Sequence, residues 1–251
     1  MSAGEIVAII AAGLAAGAIN TLVGSGTLIT FPVLLAFGYA PVTANVSNTI
    51  GLVPGSVSGA IGYRRELAGQ RARVLQLGSM SVLGGITGAV LLLVLPAAAF
   101  KAIVPVFILI ALVLTVLQPR IALWLATRKI DVERRGRVPT LLAVYATGVY
   151  GGYFGAAQGI MLLAILGVAL AQDLQRTNAL KNVLAGLVNG VAGLYFAFAA
   201  HVEWAPAGLI AGSSILGAQL GARYGRRLPP RALRALIVAV GLFAIVRLVS
   251  E

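Results

Sequence analysis

Of 251 residues, 59% are hydrophobic and only 10% charged, with a mean hydropathy of +0.98, whereas a soluble domain carries about 25% charged side chains. That leaves too little polar surface for a water-soluble globule. The apolar runs are unbroken by the alternation a barrel strand needs, so the predicted fold class is all-α, a polytopic transmembrane helical bundle. A net charge of +12 could suggest nucleic acid, but most Lys and Arg fall in three connecting segments, 64–73, 120–137 and 223–234. That is the positive-inside pattern, with the lipid bilayer and its anionic headgroups as neighbours; no nucleic-acid partner is implied.

Taken in chain order, apolar runs of about 20 residues can each span the hydrocarbon core. Full spans are read at 5–23, 44–63, 74–95, 102–118, 139–157, 177–199, 205–222 and 232–249. The first, from Glu5 to Val23, follows no basic n-region and reads as a membrane helix rather than a cleaved signal peptide. Two shorter apolar stretches, 27–39 and 159–170, each reach under about 20 Å at the α-helical rise. They are short or half-helices, either crossing or re-entrant. If the three basic segments share one side, both short stretches must cross and both termini lie outside. The chain then divides into a first transmembrane repeat 1–118, a basic cytoplasmic linker 119–138 and a second repeat 139–251.

Five crossings per half would invert the second copy. The residues carry a trace of duplication: Leu83-Gly84-Gly85-Ile86-Thr87-Gly88-Ala89 aligns with Leu216-Gly217-Ala218-Gln219-Leu220-Gly221-Ala222 at an offset of 133. At the same offset Asn45 meets Asn178, Leu95-Pro96 meets Leu228-Pro229, and Lys101-Ala102 meets Arg234-Ala235. An inverted 5+5 repeat is expected. The Gly84-x-x-x-Gly88 pair, and Gly208, Gly212, Gly217 and Gly221, are small residues that allow close helix contact in lipid.

Each half also holds a glycine-broken apolar helix followed by a helix rich in amides and hydroxyls. In the first half Gly24-Ser25-Gly26-Thr27 precedes Asn45, Asn48 and Thr49; in the second Gly155-Ala156-Ala157-Gln158-Gly159 precedes Asn178, Lys181 and Asn182. Backbone groups released in hydrocarbon cost several kcal/mol unless protein or a cavity satisfies them. The break is either a tight turn between two helices or a binding device. In the second case, helix N-termini near Thr27 and Gly159 would aim amide N–H groups at an anion near the midplane. The amides are either interhelical hydrogen-bond glue or ligands. An intramembrane cation such as Lys181 is by default a site hypothesis, against snorkelling to the interface. His201 and Glu203 sit between two spans and read as surface, with proton coupling the alternative. Without Cys, and with a single His, neither a disulfide nor a metal site is implied. Ser25 has no base but the distant His201, so catalysis is not expected. Neither a cofactor nor a metal is called for.

These paired stretches resemble the sulfite exporter TauE/SafE family of membrane transporters. The resemblance is carried by Gly24-Ser25-Gly26-Thr27-Leu28 with Pro32-Val33-Leu34, by Ala44-Asn45-Val46-Ser47-Asn48-Thr49, and by their second copies. The second copy departs from the family pattern, with Ala156, Ala157, Gln158 and Ala164 where glycines and a proline are typical. What the resemblance implies is secondary transport of a small sulfur-containing or organic anion across the cytoplasmic membrane. A coupling ion, proton or sodium, goes with that reading. An anion channel, a scaffold and an intramembrane enzyme are the other classes, and the oligomeric state is open, a homodimer included.

Overall fold

A computed structural model of the chain describes residues 1–127, 137–170, 172–224 and 230–250. The described residues form ten helices and no strand: α1 (Ala3–Leu22), α2 (Thr27–Ala36), α3 (Pro41–Gly62), α4 (Arg71–Val94), α5 (Ala97–Thr127), α6 (Arg137–Tyr153), α7 (Gln158–Ala169), α8 (Leu174–Ala199), α9 (Trp204–Tyr224) and α10 (Pro230–Ser250). By length and composition four stretches could cross a membrane: Ala3–Leu22, Arg71–Val94, Ala97–Leu125 and Leu174–Ala199. Thr27–Ala36, Gln158–Ala169 and Ile237–Leu248 are shorter apolar helices. The other expected spans are helical but less apolar or shorter. α3 and α9 carry serine, glycine and asparagine or glutamine turned toward neighbours, and α6 has only 17 residues.

Several boundaries differ from the sequence reading by a few residues, and two helix ends differ for a local reason. α5 continues past Gln118 and through Pro119 to Thr127, because a proline in an apolar helix removes a single hydrogen bond that neighbours can compensate. α6 stops at Tyr153 rather than at 157, because the turn is made at Gly155. Residues 128–136 of the expected linker and 225–229 of the third basic segment lie outside the described residues.

The burial pattern differs from that of a soluble protein in the polar side chains set into its apolar core and the large hydrophobic ones left outside. Ser25, Asn45, Ser47, Asn48, Asn178 and Lys181 are buried, while Val106, Leu109, Val113, Leu216 and Phe198 are exposed. An apolar exterior around a core that also holds polar side chains suits lipid as the solvent.

Helices pair by close backbone approach. Gly217 lies against Leu14 and Gly221 against Ala18, so α1 and α9 run parallel; Gly84 lies against Tyr145 and Gly148 and Gly88 against Val149, which does the same for α4 and α6. Of the four glycines on α9, only Gly217 and Gly221 make such contacts; a side chain at Gly208 or Gly212 would meet nothing within 4 Å. The packing partners of the first five helices recur five helices later. α1 packs on α9 as α6 does on α4, α3 on α9 as α8 on α4, and α2 on α10 as α7 on α5; α3 also meets α8, and α5 meets α10.

The two ends of the bundle differ in charge. At one end Arg176 donates to Ala68 O (2.8 Å), Gln70 to Arg176 O (3.1 Å) and Arg73 to Gln172 Oε1 (2.6 Å), while Gly62 neighbours Ala222 and Gly167 neighbours Leu125. The described parts of all three basic segments therefore lie together. At the other end Tyr39 donates to Glu5 Oε1 (2.7 Å), Glu203 N donates to Ser47 Oγ (2.9 Å), and His201 pairs with Glu203 at 3.4 Å. Burial and the hydrogen bond to Glu5 raise the Tyr39 phenol to about 12, so it remains a donor at physiological pH. The bond from Tyr39 to Glu5 also shows that α2 carries the chain back to the end where α1 began.

Candidate functional site

Both helix breaks use the same local device. In the first, Val23 N and Gly24 N both donate to Ile19 O (2.7 and 3.0 Å). In the second, Phe154 N and Gly155 N both donate to Tyr150 O (2.9 and 3.1 Å). Each ends on a glycine in the left-handed region, Gly24 at φ 87° and Gly155 at φ 80°, where a Cβ would be strained. Both breaks take four residues, 23–26 and 154–157; in the second, Ala157 has φ 58°, and Tyr150 OH holds Ala156 O at 2.6 Å. Phe154 then packs edge-on against Phe31 and Phe100, at 5.3 and 6.1 Å, which closes the break with aromatic rings.

The two breaks touch, backbone to backbone. Gly159 N–H donates to Gly24 O at 3.2 Å. A Cβ built on Gly24 would lie 2.3 Å from Gly159 Cα, and one on Gly159 2.4 Å from Gly24 Cα. Only glycine fits at either position.

The released carbonyls explain the amide-rich helices. Because Gly24 N turns back to Ile19, the carbonyls of Asn20 and Thr21 lose their helical partners, and α8 supplies replacements. Thr21 O accepts from Asn178 Nδ2 (3.2 Å), Asn182 Nδ2 (3.2 Å) and Lys181 Nζ (3.3 Å), and Asn20 O accepts from Lys181 Nζ (3.0 Å). The ammonium thus sits at the negative end of α1. The end of α6 is treated alike: Asn45 Nδ2 on α3 donates to Tyr153 O at 3.0 Å. Asn48 instead joins the start of α2, bonding Thr27 Oγ1 (3.5 Å) and Thr30.

The structure therefore brings Gly24, Gly159, Asn178, Lys181 and Asn182 together at the crossing, with Asn45, Asn48 and Thr27 on the α3 side. Ser25 turns to α5, 3.4 Å from Thr115 Oγ1. The Thr49 hydroxyl bonds Asn45 O within its own helix. Gln158 lies where a side chain on Gly151 would be, and its Nε2 is buried without a partner; Asn45 Oδ1 and Asn178 Oδ1 are in the same condition. Gly155 makes the turn itself. One expectation shifts: the Gly159 amide is already spent on Gly24 O. Lys181 faces inward, onto carbonyls, rather than snorkelling. Sequence reasoning missed Asn20 and Thr21, whose contribution is a backbone oxygen; an asparagine one turn before a glycine break was the available signal.

An apolar cavity of about 310 Å³ opens between α4, α5 and α6, lined by Leu91, Ile103, Phe107, Tyr150 and Tyr153 among others. Its walls suit hydrocarbon, not a small anion, and it adjoins the second break only through the last turn of α6.

A model of the family described as Sulfite exporter TauE/SafE matches residues 9–248. The chain is 31% identical over 242 residues to a protein of Sinorhizobium sp named "Probable membrane transporter protein ORF9", covering 94% of this chain and 89% of that one. It is 27% identical over 228 residues to the Escherichia coli K12 protein named "Probable membrane transporter protein YfcA", covering 90% and 82%. A Haemophilus influenzae protein named "Probable membrane transporter protein" is 24% identical over 243 residues, covering 95% and 92%. No solved structure matches.

Proposed function

From the premise that this chain belongs to the sulfite exporter TauE/SafE family, a family of membrane transporters, we propose that it is a secondary transporter of a small anion. The anion is sulfite, a sulfonate or another small sulfur-containing or organic anion, and the membrane is the cytoplasmic one. The observation that carries the reading is the crossing of two glycine-broken helices at Gly24 and Gly159, beside Lys181, the one charged side chain in the buried set of the described residues. Broken helices meeting between two halves are where transporters of this kind bind their cargo. Lys181 uses two of its three protons on carbonyls, so one donor and the positive charge are left for an anion. α2 begins at Thr27 with no side-chain cap, which leaves the positive end of a second helix on the same centre.

The architecture we propose is ten crossings in two inverted halves of five, with the basic end cytoplasmic and both termini outside. Supporting this, packing partners recur with a shift of five helices, and Asn189 donates to Ser56 Oγ at 3.3 Å across a separation of 133 residues, the offset of the sequence repeat. Residues so related touch each other only near a two-fold axis. Rocking one half on the other would open the centre alternately to each side.

The test is thermal denaturation of the purified protein against sulfite, sulfate, thiosulfate, sulfonates and small carboxylates, followed by uptake into proteoliposomes. A stabilising anion with saturable uptake and counterflow is expected. Non-saturating flux that follows the electrochemical gradient would instead make the protein a channel.

A further inference from the structure

We infer that the carbonyl cluster at the end of α1 is a monovalent-cation site that this chain keeps filled with its own Lys181 ammonium. Asn20 O and Thr21 O converge on Nζ at 3.0 and 3.3 Å, and both are carbonyls that α1 no longer uses. They lie at the negative pole of a 20-residue helix. Among the described residues no carboxylate pairs with Lys181, and its nearest companions, Asn178 and Asn182, are neutral. The Asn178 Nδ2 is 3.2 Å from Thr21 O, and Oδ1 of the same amide is buried with no partner, outside the reach of Nζ, so it is an oxygen a smaller ion could recruit only by turning the amide. Neutral oxygens gathered at a helix C-terminus are the donor set with which broken-helix transporters hold a cation. The lysine stem reaches them past the crossing itself, where a Cβ on Gly159 would come within 3.0 Å of Lys181 Cδ.

The opposite break carries no such charge. The exposed carbonyl of α6, Tyr153 O, is satisfied by the neutral Asn45, and the residue 133 positions before Lys181 is Asn48, which bonds α2 instead. One of the two related helix ends thus holds a tethered cation and the other a neutral amide. A sodium ion has no place to enter while the ammonium is present. If the transport reading above holds, wild-type uptake is independent of sodium, and Lys181 stands where a coupling cation would.

The experiment compares melting of the full-length wild type, Lys181→Ala and Lys181→Met in choline, sodium, potassium and methylammonium chloride. Lys181→Ala removes the stem as well as the amine, so sodium or methylammonium should raise its melting temperature over choline by at least about 3 °C. Wild type, already filled, and Lys181→Met, plugged by a thioether chain, should show no such difference. If Lys181→Ala responds to each cation as wild type does, the inference fails. Should Lys181→Ala aggregate in choline, its recovery only in sodium or methylammonium supports the site. Should it aggregate in all four salts, Lys181→Ser decides, since it also removes the stem and leaves only a short polar side chain. A cation response in Lys181→Ser absent from wild type supports the inference, and none overturns it. Melting does not depend on transport: a confirmed cation site without anion uptake would sink only the transporter reading.

Discussion

Lys181 faces two carbonyls that the break in α1 has stranded. Burying an ammonium costs roughly 2–3 kcal/mol on insertion scales, and leaving a buried acceptor unpaired costs about 1–3 kcal/mol. Lys181→Met trades one term for the other, and Thr21 O keeps Asn178 and Asn182. The variant should therefore insert and melt within a few degrees of wild type while anion uptake in proteoliposomes falls at least tenfold, about 1.4 kcal/mol. Lys181→Arg keeps the charge but brings a planar fork to a space shaped by Gly159, so part of the uptake should survive. Wild-type uptake by Lys181→Met would remove the lysine from the anion path. The presence of the buried lysine was legible in the sequence; its partners were not. A backbone oxygen has no letter, so neither Asn20 O nor Thr21 O could be seen to need α8.

At the scale of elements, the two breaks were legible because each ends on glycine amid continuous apolar residues. Their meeting was not legible, since Gly24 and Gly159 lie far apart in the chain and touch only through backbone atoms. That contact sets a sharp contrast among glycines. Gly159→Ala would place a methyl 2.4 Å from Gly24 Cα, a backbone atom that cannot step aside. A loss of about 1–3 kcal/mol is expected from overpacking alone. Gly24→Ala should cost more, adding strain at φ 87° of about 1–2 kcal/mol. Gly208→Ala on α9, where nothing lies within 4 Å, should be neutral or stabilise by up to about 1 kcal/mol. Melting curves of the three variants check the ranking, and a Gly159→Ala protein as stable as wild type would show that the breaks do not cross as described. The end of α5 was misread for a different reason: Gln118-Pro119-Arg120 looks like a stop, but helix geometry tolerates a proline whose carbonyl partner is compensated locally.

For the molecule as a whole, charge assigns the ends. Ala68 lies in the first basic segment and Ala205 at the start of α9, beside His201 and Glu203; both are exposed. The chain has no native cysteine, so single cysteines at these positions can be labelled without background. An impermeant maleimide added to intact cells should label Ala205→Cys and spare Ala68→Cys until the membrane is opened; the reverse pattern would invert the orientation. The basic segments carry this orientation as an expectation of the sequence, whereas the pairing of α1 with α9 depends on complementary small-residue faces that no local pattern announces. That pairing has a consequence for how the protein is made. α1 finds its most extensive contact in α9, whose first residue, Trp204, leaves the ribosome long after Leu22. At synthesis rates of roughly 5–20 residues per second, α1 waits on the order of ten to forty seconds in the bilayer with Gly13 and Gly17 uncovered. Through that interval a membrane insertase or the lipid itself must shield a face built for another helix, so biogenesis is the stage at which this chain is most exposed to mispairing.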